Sequence, residues 1–148
     1  MTNHESGLSS LGRRVLVVDN DDQLRSDVVA VLRDAGYTVT EATGALSAMR
    51  SVLADKLDVV VLDLVLPDGQ GIEVARAFRA VTTTRDICVV AMTAHPESVE
   101  LVDPRTFGAA SILIKPISAG QLLDAVNSCF GGEEWTGEFE IPETRLSS

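Results

Sequence analysis

A small set of polar residues is spaced along the chain so that it could support phosphoryl-transfer chemistry. Each member ends a short apolar run: Asp19, Asp63, Thr93 and Lys115. Two carboxylates at one place repel each other unless a cation lies between them or one is protonated. Partly hydrated oxygen ligands suit Mg²⁺, and an ammonium can pair with a carboxylate or a phosphoryl oxygen. Such a site would act by positioning and charge neutralisation, with a free carboxylate as the nucleophile that forms an acyl phosphate.

These residues can meet only if the runs that they end are strands of one parallel sheet. From Arg13 onward, short β-branched runs alternate with segments of helical period. The strands are predicted at "RVLVV", "YTVTEA", "LDVVVLDL", "DICVVAMT" and "ASILI". Five alternations of strand and helix imply an α/β fold, in which helices cover both faces of a parallel sheet. Ligands of such folds bind beyond the carboxyl ends of the strands.

Apolar residues that recur at helical spacing predict the helices. The stripes are Leu24, Val28, Val31, Leu32 and Ala35, ending at Gly36; Leu46, Met49 and Leu53, opened by Thr43 and Gly44; Val74, Phe78 and Val81; and Leu123, Val126 and Phe130, preceded by a capping box of Ser118 and Gln121. A weaker helix between the last two strands can begin at Pro96, and Pro104 should end or kink it near Asp103. The predicted organisation is a flexible lead-in over residues 1–12, an ordered domain over 13–130 and an acidic tail over 131–148.

Composition limits the classes of function. The chain has 148 residues, about enough for one domain, and 12 basic against 22 acidic residues give a net charge of −10. This charge disfavours direct binding to nucleic acid or to an anionic membrane. Apolar segments are too short for a membrane span or a signal peptide. Cys88 and Cys129 fit no metal spacing and are expected to stay reduced, so we expect a cytoplasmic protein.

Four sequence blocks, taken in order and spacing, resemble the receiver domain of two-component response regulators. They are "VLVVDND", "VVVLDLVLPDGQG", "VVAMTA" and "GAASILIKP", and the similarity covers about Arg13 to Phe130. The resemblance implies a flavodoxin-like (βα)5 doubly wound parallel sheet with strand order 2-1-3-4-5. It also identifies Asp63 with the phosphoacceptor, which takes a phosphoryl group from the phosphohistidine of a histidine kinase.

The resemblance assigns the metal ligands in the same way. Asp19 and Asn20 match the acidic pair that binds Mg²⁺, Asp63 contributes as well, and the backbone carbonyl of Val65 matches a further ligand. Asn20 departs from the family, which usually has a second acid there. An amide oxygen can coordinate a metal but brings no charge, so we expect weaker Mg²⁺ binding. Asp21 could partly compensate.

Three further positions follow from the resemblance. Thr93 matches the switch hydroxyl that moves toward the phosphoryl group, and Lys115 matches the ammonium that contacts it. The bond before Pro116 is typically cis in the family. Ile112 is the second departure, because the family usually has Tyr or Phe there, an aromatic that changes rotamer together with the switch hydroxyl.

These observations lead to competing hypotheses for function. The leading one is a stand-alone receiver that accepts phosphate on Asp63 and signals by protein–protein interaction, with a sensor histidine kinase or phosphotransfer protein upstream and an unidentified output protein downstream. The alternative is a pseudo-receiver interaction module that phosphorylation does not regulate, because of Asn20 and Ile112. A Mg²⁺-dependent phosphatase of the haloacid-dehalogenase type would need an acid where Val65 stands. We therefore expect no enzyme beyond self-catalysed phosphorylation and dephosphorylation of the aspartate.

Neighbouring polar residues also have plainer interpretations. Asp21 and Asp22 could cap the first helix, and that role is favoured for Asp22. His95 is expected to line the pocket rather than to act as a ligand or a phosphoacceptor.

Overall fold

Five parallel strands form one sheet in the computed structural model, which describes residues 12–98 and 103–131. The strands are β1 (Arg14–Val18), β2 (Thr38–Ala42), β3 (Val59–Asp63), β4 (Cys88–Thr93) and β5 (Ser111–Ile114). Their spatial order is β2-β1-β3-β4-β5, which confirms the expected order 2-1-3-4-5. The predicted lead-in and tail, apart from Gly12 and Gly131, lie outside the described residues.

Three α-helices connect the strands from β1 to β4, a fourth follows β5, and together the four cover both faces of the sheet. They are α1 (Asp22–Asp34), α2 (Ala45–Ala54), α3 (Gly71–Ala80) and α4 (Ala119–Ser128). Helices α2 and α3 pack on one face and α1 and α4 on the other, which is the doubly wound arrangement. Within the described residues, no helix is long and apolar enough to cross a lipid bilayer.

Strand side chains alternate between two separate cores, as the pleat requires. Leu16 and Val18 of β1 lie in the core beneath α2 and α3, where Phe78 is fully buried. Val15 and Val17 lie in the core beneath α1 and α4. All five residues of β3 are buried, as expected for a central strand covered on both faces.

The connection between β4 and β5 differs from the predicted helix. The described part of this connection contains two short 3₁₀ segments, Pro96–Ser98 and Pro104–Phe107, and residues 99–102 lie outside the described range. Pro104 begins the second segment instead of ending a helix. Proline suits this position because it has no N–H to leave unbonded, and the carboxylate of Asp103 accepts the N–H of Arg105 at 2.9 Å.

The predicted apolar stripe of α2 was wrong at its two leucines, which do not face the core. Leu46 and Leu53 are 57% and 61% exposed, whereas Ala48 and Val52 are buried against the sheet. The small side chain of Ala48 lets the helix approach closely, so the packed face is centred one position away from the leucines. In α4, likewise, Leu122 and Ala125 join Val126 in the core, and the predicted Leu123 and Phe130 are only partly buried.

The expectation that both cysteines stay reduced was also wrong for this structure. Cys88 and Cys129 form a disulfide, with their Cα atoms 6.0 Å apart. Cys88 begins β4 and Cys129 follows the last turn of α4, which packs against the same face of the sheet. A separation of 41 residues in sequence hides this proximity, because only the helix packing brings the two sulfurs together.

Reduction of this disulfide is expected to lower the free energy of unfolding by about 3–4 kcal/mol, because the cross-link restricts a long loop of the unfolded chain. Urea denaturation of the protein with and without reductant measures this difference. A variant with Cys88→Ser and Cys129→Ser is the control, and its stability should not respond to reductant. Two titratable thiols in the native protein before any reductant is added would contradict the pairing.

Candidate functional site

Three of the predicted site residues meet at the carboxyl edge of the sheet. Asp19 follows β1, Asp63 ends β3 and Lys115 follows β5. The Lys115 Nζ donates to Oδ2 of Asp19 and to Oδ2 of Asp63, each at 3.0 Å. Both carboxylates are nearly inaccessible, with exposures of 1% and 7%. Strand β4 separates β5 from β3, so the long, flexible stem of lysine is needed to reach across it.

Main-chain groups orient the other oxygen of each carboxylate. Oδ1 of Asp19 accepts the N–H of Asp21 at 2.8 Å, and Oδ1 of Asp63 accepts the N–H of Val65 at 3.0 Å. A carboxylate oxygen has two lone pairs, and each of these four oxygens has one hydrogen bond here. The two carboxylates therefore keep acceptor capacity for an additional cation.

The surroundings move the pKa values of two of these groups. Burial raises the pKa of Asp63, although the N–H of Val65 and the ammonium of Lys115 act in the opposite direction. Burial alone would lower the pKa of Lys115, but its hydrogen bonds to Asp19 and Asp63 outweigh that effect and the pKa is raised. The ammonium therefore stays charged at neutral pH and supplies one positive charge to two acids.

A cleft of about 380 Å³ opens above these groups, and we call it the acidic cleft. Its lining residues are Asp19, Asn20, Asp21, Asp63, Val65, Ala94, His95 and Lys115. The cleft thus contains every predicted metal-ligand residue, and His95 lines it as predicted. Most of the groups in this cleft that could bind a metal present oxygen atoms.

Thr93 lies beside the acidic cleft, and its hydroxyl is engaged in a hydrogen bond with the neighbouring loop. It is buried at the end of β4, and its Oγ1 accepts the N–H of His95 at 2.9 Å. Ile112, the other residue that the resemblance singles out, is buried in the core with Phe107 and Ala109. The switch role of Thr93 stays a prediction, because the hydroxyl here bonds to its own loop.

The donor set fits a partly hydrated Mg²⁺. Within residues 12–98 and 103–131, no group of three His, Cys, Asp or Glu side chains could hold a metal by itself. The acidic cleft offers two carboxylates, from Asp19 and Asp63, together with the Asn20 amide and the Val65 carbonyl. Mg²⁺ prefers oxygen ligands and usually keeps several waters, so a set with only two charged members suits it.

The acidic run after β1 is stabilised by a helix cap and an ion pair. Asp21 is the N-cap of α1, and its Oδ1 accepts the N–H groups of Gln23 and Leu24 at 3.0 and 3.1 Å. Asp22, for which the capping role was favoured, is instead the first helical residue and pairs with Arg25 at 2.8 Å. Since its carboxylate caps the helix, Asp21 is committed to a structural contact at the edge of the cleft.

Arg25 is a site residue that the sequence analysis missed. Its guanidinium donates to the carbonyl oxygen of Asp19 at 2.8 Å and to Oε1 of Glu41 at 3.0 Å, in addition to Asp22. The hydrogen bonds of Asp22 and Glu41 raise the pKa of Arg25. Arg25 therefore ties the acidic loop to the end of β2. Its spacing of three from Asp22 was the available signal in the sequence.

The loop after Asp63 is fixed by two further contacts. Asp68 accepts the N–H groups of Ala45 and Leu46 at 2.6 and 3.1 Å, and these bonds at the start of α2 lower the pKa of Asp68. A Cβ on Gly71 would lie 2.4 Å from the carbonyl oxygen of Asp63, so only glycine fits there. No local pattern reveals the Asp68 cap, since its partners lie more than 20 residues earlier.

The bond between Lys115 and Pro116 is cis, as the resemblance implies.

Replacing Lys115 by methionine is expected to lower the free energy of unfolding by about 1–3 kcal/mol, because two largely buried carboxylates would lose their shared counter-charge. Urea denaturation at pH 7 with a chelator present measures the effect. Lys56→Met is the matched control, because Lys56 is the other lysine of the chain and is exposed. Equal destabilisation by both substitutions would contradict the role assigned to the shared ion pair.

Comparison with known proteins identifies relatives of this chain. The family model of the response regulator receiver domain matches residues 15–127. The phosphate regulon transcriptional regulatory protein PhoB of Escherichia coli is 32% identical over 118 residues, which are 80% of this chain and 52% of that protein. The DNA-binding response regulator MtrA of Mycobacterium tuberculosis is 32% identical over 124 residues, 82% of this chain and 52% of that protein. The chain thus spans about half the length of these curated relatives.

Solved structures agree with the sequence relatives. The chemotaxis response regulator CheY4 of Vibrio cholerae is 27% identical with a TM-score of 0.72, and the match covers 79% of this chain and 98% of that one. The receiver domain of the sensor histidine kinase PA1611 from Pseudomonas aeruginosa is 26% identical with a TM-score of 0.72, covering 82% and 99%. That structure has a magnesium ion coordinated in its active site cleft.

Proposed function

Because the chain belongs to the response regulator receiver domain family, we propose that it accepts a phosphoryl group on Asp63 from the phosphohistidine of a sensor histidine kinase or a phosphotransfer protein. The observation that carries this proposal is the pair of hydrogen bonds from Lys115 to Asp19 and Asp63. These bonds hold a nucleophilic carboxylate and a compact positive charge at the floor of the acidic cleft.

The reaction is a transfer from nitrogen to oxygen. A carboxylate oxygen of Asp63 attacks phosphorus and forms the new O–P bond, while the N–P bond of the donor histidine breaks and its electron pair returns to the imidazole nitrogen. The ammonium of Lys115 lies 3.0 Å from Oδ2 of Asp63, where it can neutralise charge on the arriving phosphoryl group. Oδ1 is oriented by the N–H of Val65.

Magnesium would complete the charge balance of the site. Asp19, Asn20, Asp63 and the carbonyl of Val65 are the residues that would hold it, and the bound ion would neutralise oxygens of the transferring group. The shared ammonium and the two carboxylates carry a net charge of −1 when both acids are ionised, which favours a cation over an anion in the resting cleft. A second acid at position 20 would make this net charge −2, whereas the neutral Asn20 leaves it at −1.

The output of the phosphorylated state is proposed to be a protein–protein contact. A phosphoryl group on Asp63 adds a strong acceptor that competes with Asp19 for the ammonium of Lys115. Thr93 lies at the neighbouring strand end, and the N–H of His95 that it now accepts belongs to the loop that lines the cleft. A change of partner for the Thr93 hydroxyl would therefore alter that loop, which is the surface that a partner protein would read. No catalytic turnover of a separate substrate is proposed.

A second candidate is an interaction module that phosphorylation does not regulate. Two observations favour it: Asn20 leaves only two carboxylates for a metal, and Ile112 is packed in the core without an aromatic ring to change rotamer. The two candidates differ in one measurable property, which is the uptake of phosphate at Asp63.

Incubation with acetyl phosphate and Mg²⁺ is expected to add one phosphoryl group to the protein, and intact mass measures this addition. The substitution Asp63→Asn should abolish the addition, because the nucleophilic carboxylate becomes a neutral amide. Asp34→Asn is the matched control, since this acid is exposed at the far end of α1 and lies outside the acidic cleft. If acetyl phosphate and any cognate kinase leave the mass unchanged, the second candidate replaces the first. Repeated turnover of a small phosphomonoester would contradict the proposal that no separate substrate is turned over.

Asn20→Asp is expected to raise the affinity for Mg²⁺ on the order of tenfold, because one additional ionised ligand contributes about 1.4 kcal/mol. Calorimetric titration of the metal measures this change. Gln23→Glu adds the same charge on the exposed face of α1, outside the acidic cleft, and should leave the affinity nearly unchanged. An equal increase in both variants would assign the effect to general electrostatics instead of a ligand at position 20.

A further inference from the structure

A second cleft lies at the opposite, amino-terminal edge of the sheet, and we call it the arginine cleft. Its volume is about 400 Å³, and it is lined by Arg79, Arg85, Asp86, Ile87, Cys88, Val89, Arg105, Gly108, Ala109 and Ala110. Three of these side chains are cationic and one is anionic. Such an excess of positive charge is notable in a chain whose net charge is −10.

Arg79 supplies a positive charge that neutral groups hold in place. Within the described part of the chain, its guanidinium donates to the carbonyl oxygens of Gly108, Ile87 and Arg85, and every one of these acceptors is a main-chain carbonyl. Burial lowers the pKa of Arg79, and the nearby charge of Asp86 acts against this. Carbonyl partners fix the guanidinium but do not neutralise it, so the cleft keeps a positive potential that favours a carboxylate.

The other two arginines extend this charge toward solvent. Arg85 is exposed at the rim, and Arg105 is exposed and pairs with Asp103 at 2.9 Å. The cleft therefore combines a half-buried cation held by carbonyls with an exposed cation at its entrance. Charge-assisted hydrogen bonds from arginine to carboxylates are the strong kind that such a site would form.

The disulfide brings the residue that follows α4 close to this cleft. Cys88 lines the cleft and is bonded to Cys129, two residues before Gly131. The sequence that follows, residues 132–148, contains Glu133, Glu134, Glu138, Glu140 and Glu143 against one basic residue, Arg145. The sequence after Gly131 is therefore acidic and begins near a cleft that is lined by more arginines than acids.

The distances match the first glutamates of this segment. Nη2 of Arg79 lies 2.7 Å from the carbonyl of Ile87, the residue before Cys88, and the Cα of Cys88 lies 6.0 Å from that of Cys129. The guanidinium is therefore on the order of 10 Å from Cys129, which lies in the last turn after α4. Phe130 stays stacked on Tyr37, so only the two residues from Gly131 to Glu133 are counted as reach, and they span about 7 Å when extended. Gly131 has a φ of 102°, which ends the helical turn and allows the following segment to change direction toward the cleft.

We propose that residues 132–148 dock in the arginine cleft, with the carboxylates of Glu133 and Glu134 bound by Arg85 and drawn in by the positive charge of Arg79. The short tether makes this contact intramolecular and gives it a high effective concentration. The ligand class is a pair of carboxylates, and its source is the chain's own C-terminal segment. The contact depends on charge and therefore weakens as salt is added.

The chain offers its own probe for the test, because Trp135 is its single tryptophan and follows Glu134 directly. In the chain of 148 residues at low salt, Trp135 should emit at shorter wavelength and be less accessible to acrylamide than in a free peptide of residues 132–148. High salt, or inorganic phosphate at millimolar concentration, should abolish this difference. Reversing the charge at the rim with Arg85→Glu should also abolish it.

Two matched variants make the result specific. Arg50→Glu makes the same change of charge on the exposed surface of α2, outside the cleft, and should leave the Trp135 emission unchanged. Adding Glu133→Arg and Glu134→Arg to Arg85→Glu should restore the protection of Trp135. Circular dichroism verifies that each variant is folded, and the salt titration of the unmodified chain tests the contact without any substitution.

Three results would overturn the proposal. In the first, Trp135 in the full chain is as accessible to acrylamide as in the free peptide. In the second, Arg50→Glu and Arg85→Glu change its emission equally. In the third, phosphate shifts the side-chain NMR signal of Arg85 while the accessibility of Trp135 stays constant, which would assign the cleft to a small anion instead of the C-terminal segment.

Discussion

Lys115 shares one ammonium between two buried carboxylates, and the rest of the acidic cleft depends on this ion pair. Asp19 and Asp63 end neighbouring parallel strands, so the sheet itself forces like charges together at its carboxyl edge. Burial raises the energy of both ionised acids, and the third partner must therefore come from within the fold or from a bound cation. Lys115 reaches across β4 to supply it. The same arrangement leaves lone pairs on both carboxylates available to a metal cation that binds oxygen ligands.

The reactive groups lie at or directly after strand ends, and contacts to regular elements fix the loops that follow them. Arg25 ties the main chain at Asp19 to the end of β2, and Asp68 ties the loop after Asp63 to the first turn of α2. Gly71 lets α3 begin in direct contact with the main chain of Asp63. These contacts hold the site without using the carboxylates that perform its chemistry. This division of roles keeps the nucleophile available while its geometry stays fixed.

Sequence patterns predicted local features well and long-range contacts poorly. The strands, the end of α1 before Gly36 and the Ser118 capping box depend on neighbouring residues, and the structure confirms them. The strand order came from the family resemblance, because periodicity does not specify which strands pair. The disulfide of Cys88 and the cap from Asp68 join residues far apart in sequence, so no local signal could predict them. In α2, the hydrophobicity of Leu46 and Leu53 predicted the wrong buried face, because the helix packs closely on the sheet through Ala48.

The two edges of the sheet have opposite electrostatic character, and one helix connects them. Helix α3 begins at Gly71, against the carbonyl of Asp63, and its ninth residue, Arg79, holds the floor of the arginine cleft. Its ten residues span about 15 Å and pack on the core through Phe78. The first residue of this helix lies against the main chain of the phosphoacceptor position, and its last turn supplies the half-buried cation of the arginine cleft. One short helix therefore contributes to both clefts, because its length matches the distance between the two edges of the sheet.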